Sequence, residues 1–381
     1  MKFVIFGLTI SSSWGNGHAT LWRGLCRCLS EKGHRVVFFE HDVPYYAGAR
    51  DLYEMPGNDE LVLYENWYDI APRAVREVSN ADVAIVTSYC PDAIAATDLI
   101  LGSRALRVFY DLDTPVTLSR HARGEMNFYI GPRGLADFDL VLSYTGGGAL
   151  DSLREDLGAR CVAPLYGHVD PEHCRLSEPR DAYRADLSYL GSYAEDRQAS
   201  LEQLFIEPAR QRPKLRFLIG GAQYPDAFAW RRNIHFVHHL PPGEHPAFFA
   251  SSRATLNVTR ADMARMGWCP SEQLFEAAAC EALVLTDDWD GLETFFQPGA
   301  EVLVVRDADD VLAALNKSDA ELKTIARAAR GRVLAEHTSR HRTEELLALV
   351  SDAMDRARGS RLQMATGHRR NDASAAAVDF Q

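Results

Sequence analysis

Short apolar runs alternate with longer amphipathic segments along this chain. The runs are rich in Val, Ile, Leu and Phe and are bounded by Gly, Pro or Asp, which is typical of parallel strands buried on both faces. Six runs lie in the first half and six in the second, at 2–8, 35–40, 81–88, 106–113, 138–144 and 159–167, and at 185–192, 214–221, 234–240, 253–259, 282–288 and 301–307. Because helical segments separate many of them, the pattern predicts an α/β protein with two doubly wound parallel-sheet domains.

The pattern changes at two places that divide the chain. Residues 166–184 are polar, contain two prolines and show no clear period, which indicates an interdomain linker. From about residue 318 the pattern becomes helical. We therefore predict an N-terminal domain, a C-terminal domain, a C-terminal helix and a disordered tail, at 1–168, 169–337, 338–358 and 359–381.

Composition and charge narrow the classes of function. Hydrophobic residues make up 46% of the chain and charged residues 25%, the values of a soluble globular protein. The net charge of −12 argues against broad, phosphate-driven binding of nucleic acid, although it leaves room for a local site for one small phosphate ligand. We expect no nucleic-acid partner.

The seven cysteines are scattered, and none forms a CxxC pair. This arrangement indicates neither a disulfide framework nor a zinc site. No apolar run approaches the length of a transmembrane segment, and the amino end lacks the pattern of a secretory signal. We expect reduced thiols, no transmembrane segment and a cytoplasmic location.

The first predicted strand leads into the loop SSSWGNGHATLWRGL. Gly15 and Gly17 permit a tight turn and close approach of a ligand, and the helix that begins near Ala19 offers free N–H groups to an anion. His18 lies at the junction, where it could act as a base facing an interdomain cleft. The dinucleotide fingerprint GxGxxG is missing, and a helix-capping loop with a solvent-exposed histidine explains the same residues.

The segment YDLDTPVT places Asp111 and Asp113 at the carboxyl end of a strand. A DxD pair can bind Mg²⁺ together with a diphosphate. However, residues two apart on a strand share a face, and the Thr-Pro that follows favours a turn equally well. We prefer a cleft-facing carboxylate that contacts an acceptor and expect no metal.

The stretch SEQLFEAAACEALVLTDDWDGLETFF, residues 271–296, predicts a helix that runs into a buried strand. Glu276 falls on the first turn or two of that helix, where a glutamate can hold a ribose diol while the helix end favours a diphosphate. An acid that complements the helix dipole explains Glu276 equally simply. Ser271 is a candidate cap of the same helix, and Arg260 and Gly267 precede it.

Two further loops follow predicted strands in the second half. LIGG ends in Gly220 and Gly221, and YLGSYAEDR contains Arg197 as a candidate phosphate contact. A tight turn before a helix accounts for the glycines, and Arg197 could equally be an ordinary surface residue.

Together these motifs resemble the CgeB-type glycosyltransferases, a branch of the GT-B superfamily, in order over most of the chain. The resemblance is carried by WGNGHATLWRGL, FEHDVPYYAGARDL, YDLDTPVTL, YTGGG, YGHVDP, YLGSYAEDR, FLIGG, LNVTRADMARMGWCPSEQLFEAAAC and DDWDGLETFFQPGAEVLVVRD. It implies a GT-B fold, in which two Rossmann-like domains face each other across a cleft. The first would take the acceptor and the second the nucleotide-sugar donor, and a final helix would return towards the first domain.

By motif position, the resemblance makes Glu276 a ribose ligand and Arg260 a diphosphate contact. Two positions depart from the family. Related retaining enzymes of the superfamily often have a glutamate where this chain has Trp268, which puts the usual sugar contact in doubt. Glu281 replaces a small residue, usually glycine, which raises the question of an altered donor preference.

The leading hypothesis is a metal-independent, hexosyltransferase-like glycosyltransferase that uses a nucleotide diphosphate sugar, no other cofactor, and an unknown small-molecule, glycan or protein acceptor. A sugar-nucleotide epimerase and a non-catalytic sugar-nucleotide-binding assembly protein are the alternatives. The candidate catalytic residues are His18 and Asp113. The candidate donor-binding residues are Gly17, Arg197, Gly220, Gly221, Arg260, Gly267, Ser271 and Glu276.

Overall fold

The computed structural model describes the backbone of residues 1–375 and the side chains of residues 1–359. The strands are β1 (Lys2–Gly7), β2 (Arg35–His41), β3 (Glu60–Tyr64), β4 (Val83–Thr87), β5 (Leu106–Asp111), β6 (Leu140–Ser143), β7 (Val162–Pro164), β8 (Ala185–Leu190), β9 (Phe217–Gly221), β10 (Ile234–His238), β11 (Ser252–Asn257), β12 (Val284–Thr286) and β13 (Leu303–Val304).

The strands alternate with helices through both halves of the chain. The helices are α1 (His18–Glu31), α2 (Pro44–Ala47), α3 (Trp67–Ser79), α4 (Ala93–Leu101), α5 (Thr114–Ala122), α6 (Ala149–Glu155), α7 (Gln198–Leu201), α8 (Glu207–Gln211), α9 (His245–Ala250), α10 (Ala261–Met266), α11 (Glu272–Ala279), α12 (Leu292–Phe295), α13 (Ala308–Leu315), α14 (Asp319–Glu336) and α15 (Ser339–Ala375). A π-helical stretch, Glu202–Ile206, joins α7 to α8.

The strands form two separate parallel sheets. Their orders are β3-β2-β1-β4-β5-β6-β7 and β10-β9-β8-β11-β12-β13. In each sheet the chain moves outward from its first strand and then returns to the other side, so the direction reverses between β1 and β4 and again between β8 and β11. Ligands of doubly wound folds bind at such reversals, at the carboxyl ends of the strands. The predicted fold class is confirmed.

Each sheet is covered on both faces, and the alternation of side chains along the strands explains how. In the first sheet Phe6 and Phe109 pack into one core, whereas Phe3 and Tyr110 pack into a second core on the opposite face. Neighbouring side chains of a strand point to opposite faces, so both sets must be apolar. This is why the strands appear in the sequence as continuous apolar runs.

One strand was missed by the sequence analysis. The segment ELVLY forms β3 at the edge of the first sheet, where only Val62 and Tyr64 are buried. An edge strand needs one apolar face, so its sequence alternates and is less distinctive than a continuous run. The first sheet therefore has seven strands rather than the six predicted.

The chain crosses between the domains twice, and the crossings are hydrogen-bonded to each other. Val169 N–H donates to the His337 carbonyl at 3.0 Å, and Ser339 N–H donates to the Val169 carbonyl at 2.8 Å. After the second crossing, α15 packs its residues Leu346 and Val350 into the core of the first domain. The last helix thus fastens the second domain to the first.

Helix α15 extends further than the sequence analysis predicts. Residues 359–375 continue the helix, where we predicted a disordered tail, while residues 376–381 lie outside the described part. The segment contains no proline, and its three alanines and three arginines propagate a helix well. Within the described residues no helix is long and apolar enough to cross a membrane.

Candidate active site

A cavity of about 480 Å³ lies between the two domains, at the carboxyl ends of both sheets. Its walls are formed by the loops after β1, β4 and β5 on one side and by the loops after β8 to β11 on the other. In both sheets, the point at which the strand order reverses lies beside this cavity. Eight of the ten candidate residues line the cavity, namely Gly17, His18, Asp113, Arg197, Gly221, Arg260, Ser271 and Glu276.

The remaining two candidates, Gly220 and Gly267, do not line the cavity. Gly220 lies within β9, where a Cβ would lie 3.1 Å from Phe248 and 3.2 Å from Leu190. Gly267 has a φ of +70°, and a Cβ there would lie 2.6 Å from the Asp290 carbonyl oxygen. Both glycines are explained by backbone geometry and close packing.

His18 is the first residue of α1 and forms part of the first-domain wall. The Asn16 side chain accepts a hydrogen bond from the His18 backbone N–H at 3.1 Å and so orients the start of the helix. Burial lowers the pKa of His18, and the Asp113 carboxylate only partly opposes this effect. The imidazole is therefore neutral at pH 7, and its buried Nδ1 atom is unpaired within the described part of the chain.

Asp113 immediately precedes α5, makes no capping hydrogen bond with its side chain, and lines the cavity. Its Oδ2 atom accepts a hydrogen bond from the Tyr89 hydroxyl at 3.0 Å and lies 3.8 Å from the guanidinium of Arg260. Tyr89 has a φ of 62°. This conformation costs free energy for any residue other than glycine. The loop after β4 thus places a strained tyrosine where it fixes the Asp113 carboxylate.

Asp111 does not share the position of Asp113. It is fully buried, and its Oδ1 atom accepts hydrogen bonds from the Thr117 hydroxyl and from the Asp113 backbone N–H, each at 3.1 Å. Burial raises the pKa of Asp111 to about 6. Strand β5 ends at Asp111, so the two-residue period no longer applies at Asp113. The two carboxylates do not form a pair that faces the cavity together.

Two arginines of the second domain line the cavity. Arg260 donates through Nε to Asp196 at 3.0 Å and also faces Asp113, so acids of both domains flank it. Burial would lower the pKa of Arg260, but these carboxylates outweigh that effect and raise it. Arg197 has a buried Nε atom without a hydrogen-bond partner in the described part of the chain. The pair offers positive charge and an unused donor to an anion.

Glu276 lies on the second turn of α11 and is 6% exposed. Its Oε2 atom is 3.0 Å from Nδ1 of His245, whose Nε2 atom is 3.3 Å from the Leu240 carbonyl oxygen. Ser271 caps the helix by accepting a hydrogen bond from the Leu274 N–H at 3.3 Å. The histidine holds the carboxylate at the cavity wall while the cap fixes the start of the helix. The sequence gives no signal for His245, because its contact with Glu276 is tertiary.

Glu272 is a second acid of α11 that the sequence analysis missed. It lies four residues before Glu276, so both side chains project from the same face of the helix. Glu272 is 8% exposed, and its Oε2 atom accepts a hydrogen bond from the Thr20 hydroxyl of the first domain at 3.2 Å. Burial and the neighbouring Glu276 raise its pKa well above the usual range. The four-residue spacing was visible in the sequence, but the burial was not.

Trp268 and Glu281, the two positions that depart from the pattern of the CgeB-type enzymes and their relatives, lie outside the cavity. Trp268 donates its backbone N–H to the Asp290 carbonyl at 2.6 Å, and its own carbonyl accepts from Gly146 at 3.0 Å. A Cβ on Gly147 would lie 2.4 Å from the Trp268 ring, so this tryptophan packs against the first domain. Glu281 follows the end of α11 and pairs with Arg327 at 3.2 Å. Neither side chain lines the cavity.

Two Rossmann-like domains with a cavity between the carboxyl ends of their sheets define the GT-B class of fold. A family model described as glycosyl transferase-like matches residues 197–348 of this chain. No curated protein sequence matches the chain.

Solved structures resemble this chain over most of its length. Sucrose-phosphate synthase from Thermosynechococcus elongatus has a TM-score of 0.64 at 12% identity, covering 98% of this chain and 100% of that one. HepE of Anabaena, in complex with UDP-glucose, has a TM-score of 0.66 at 12% identity, covering 92% and 100%. An α-glucosyltransferase in complex with UDP-glucose and DNA has a TM-score of 0.66 at 11% identity, covering 92% and 99%. At such identities the likeness establishes the GT-B fold.

Proposed function

We propose that this protein is a glycosyltransferase that moves a sugar from a nucleotide diphosphate sugar to an acceptor hydroxyl. The observation that carries the proposal is the position of Glu276 on α11, at a cavity that Arg197 and Arg260 also line. The glycosyl transferase-like match at residues 197–348 covers all three residues. Two of the structural relatives contain UDP-glucose, which supports a donor of this class.

The donor would bind to the second domain by contacts that suit its parts. A carboxylate can accept hydrogen bonds from both hydroxyls of a ribose, and His245 holds Glu276 in place for that contact. The diphosphate would lie near the amino end of α11, where backbone N–H groups and two arginines favour negative charge. We infer that these cations stabilise the departing diphosphate without a metal ion.

The acceptor would bind to the first domain, beside His18. The neutral imidazole could take a proton from an attacking hydroxyl. Asp113 contacts Tyr89 and Arg260 through Oδ2, and only its Oδ1 atom is without a partner among the described residues. If the reaction inverts the sugar, we assign the base to His18. If it retains the configuration, as in the clan to which the CgeB-type enzymes belong, His18 and Asp113 position the acceptor. We propose membership of the CgeB-type family and a hexosyl donor on the motifs of the sequence.

Incubation of the protein with a panel of nucleotide sugars, with and without candidate acceptors, tests the proposal. We expect free nucleotide diphosphate to appear much faster with an acceptor, together with a glycosylated product. An isomerised donor without release of nucleotide would instead indicate an epimerase. Binding without either reaction would indicate a non-catalytic sugar-nucleotide-binding protein.

A further inference from the structure

Glu272 lines the cavity and has a buried carboxyl oxygen without a hydrogen-bond partner among the described residues. The side chain is more than nine-tenths buried, and the unpaired oxygen is Oε1. An unpaired polar atom in such a place normally costs free energy, since it has lost its contact with water. A ligand that donates or accepts a hydrogen bond there would remove that cost.

The surroundings of Glu272 belong to both domains. Its Oε2 atom is 3.2 Å from the Thr20 hydroxyl, and a Cβ on Gly17 would lie 2.7 Å from the same oxygen. The glycine therefore leaves the space that the Glu272 side chain needs to reach the first domain. His18, adjacent to Gly17, lines the same cavity. Glu272 consequently lies between the donor-side helix and the loop that we assign to the acceptor side.

The order of the two acids along α11 suggests what each would contact. Glu276 lies one helical turn further from the amino end than Glu272. A nucleotide sugar is linear in its parts, with the ribose at one end, the diphosphate in the middle and the sugar at the other. If the ribose is at Glu276 and the diphosphate is near the amino end of α11, the sugar lies beyond that end, towards Gly17, where the Glu272 side chain reaches the first domain.

We propose that Glu272 binds a hydroxyl group of the donor sugar and thereby helps to select which sugar is transferred. The inference rests on the proposed function, because it presupposes a nucleotide-sugar donor at Glu276. Trp268 cannot supply this contact from its place between Gly147 and Gly291, outside the cavity lining. Glu272, four residues after Trp268, instead places a carboxyl group at the cavity wall.

The chemistry of a buried carboxyl suits this role. Burial and the adjacent Glu276 favour the protonated form of Glu272, whose pKa is raised. A neutral carboxyl both donates and accepts hydrogen bonds, so it can pair with a sugar hydroxyl in either sense. It also adds no negative charge next to a diphosphate. Glu272 binds the sugar directly, and no proton transfer in the reaction is assigned to it.

Affinities for UDP, GDP and ADP, and for the glucose conjugate of each, test the inference in wild type, Glu272→Leu and Glu272→Gln. We expect Glu272→Leu to lower the affinity for the intact nucleotide sugar about tenfold and the affinity for the diphosphate less than twofold, since only the sugar contact is lost. Glu272→Gln keeps a neutral donor and acceptor, so it should retain most of the affinity. Thermal melting of each variant checks that it is folded.

Deoxy analogues of the donor that binds best identify the contact. The wild type should bind a 2-, 3-, 4- or 6-deoxy analogue more weakly than the parent donor wherever the missing hydroxyl normally contacts the protein. One of them should be bound equally by wild type and by Glu272→Leu, because the contact is already absent. Thr20→Val removes the hydrogen bond that Oε2 of Glu272 accepts but keeps the carboxyl group, so it should lower the affinity for the nucleotide sugar less than Glu272→Leu does.

The outcomes separate this inference from the proposed function. A wild-type protein that binds none of the diphosphates or nucleotide sugars would overturn the proposed function and with it the inference. A second outcome is that the wild type binds them while Glu272→Leu lowers the affinities for diphosphate and nucleotide sugar equally, or lowers neither. That result would overturn only the role of Glu272. Loss of donor affinity in Glu272→Gln as severe as in Glu272→Leu would also overturn it.

Discussion

Five residues other than glycine have a positive φ in the described part of the chain, and four of them lie where the domains meet. Tyr89 holds Asp113, His239 lies against the ring of Trp14 at a centroid distance of 3.9 Å, and Gln223 donates to the Tyr45 hydroxyl at 3.2 Å. Trp268 accepts its hydrogen bond from the first domain. Strained residues of this kind persist where the surrounding contacts fix them, and here those contacts shape the cleft.

The fifth such residue, Glu281, lies away from the cavity and predicts a gain in stability. Its φ of 59° follows directly on the end of α11, a position where helices usually have glycine. We expect Glu281→Gly to raise the free energy of unfolding by about 0.5–1 kcal/mol, because the relief of backbone strain exceeds the loss of an exposed ion pair. Urea denaturation measures the change.

Glu281→Gln is the matched control, because it removes the charge that faces Arg327 while keeping the strained backbone. We expect no gain from it. Equal stability of wild type and Glu281→Gly would contradict the account of this residue.

Helix α11 is the element that brings the candidate donor contacts together. Its Ser271 cap is hydrogen-bonded to Asn257 at 2.6 Å, which ties the helix to the end of β11. Leu274 and Phe275 pack into the core of the second domain, while Glu272 and Glu276 face the cavity. The apolar face thus sets the orientation of the two acids.

The cap of α11 should affect both stability and binding. We expect Ser271→Ala to lower the free energy of unfolding by about 1 kcal/mol, the usual effect of a lost cap, and also to weaken nucleotide binding. Ser318→Ala provides the comparison, since Ser318 caps α14 with a complete capping box and does not line the cavity. It should lose similar stability and keep its nucleotide affinity. Equal affinities in both variants would show that the start of α11 does not position the donor.

Much of the architecture could be predicted at the level of elements, and less at the level of contacts. Twelve apolar runs correspond to strands, whereas β3 was missed because its edge position requires only half an apolar pattern. Glu276 was found because it precedes a run of small residues in a recognisable helix. His245 and Glu272 were not found, because the burial and pairing of each depend on chain segments far away in the sequence.

At the scale of the whole molecule, the two interdomain crossings form a buried hinge. His168 accepts or donates a hydrogen bond with the Ser339 hydroxyl at 3.0 Å, and Arg342 donates to the Gly167 carbonyl at 3.3 Å and to Nδ1 of His337 at 2.8 Å. Burial, reinforced by the Arg342 charge, lowers the pKa of His168 and that of His337 to about 3 each. The hinge is therefore built around two neutral histidines.

These histidines make the hinge sensitive to acid. Between about pH 6.5 and pH 3 the unfolded chain binds protons that folded His168 does not, so the free energy of unfolding falls as the pH is lowered. A tenfold change in proton affinity corresponds to about 1.4 kcal/mol, so a His168 pKa lowered from 6.5 to about 3 contributes on the order of 5 kcal/mol to this fall. We expect His168→Asn to flatten the pH dependence in urea denaturation at pH 4 to 7.

His121→Asn is the control for the hinge, because His121 is exposed near the end of α5. It should leave the pH dependence as in the wild type. Parallel curves for wild type and His168→Asn would show that the neutral state of His168 contributes little to stability.

Calorimetric titration with nucleoside diphosphates tests the central claim, that the cleft is a nucleotide-sugar site with Glu276 on the ribose. We predict binding to the wild type and at least a tenfold loss in Glu276→Ala, or about 1.4 kcal/mol for the lost contacts. Glu281→Gln, which lies just after the carboxyl end of the same helix and outside the cavity, should bind as the wild type does. Unchanged nucleotide affinity in a folded Glu276→Ala variant would contradict the claim.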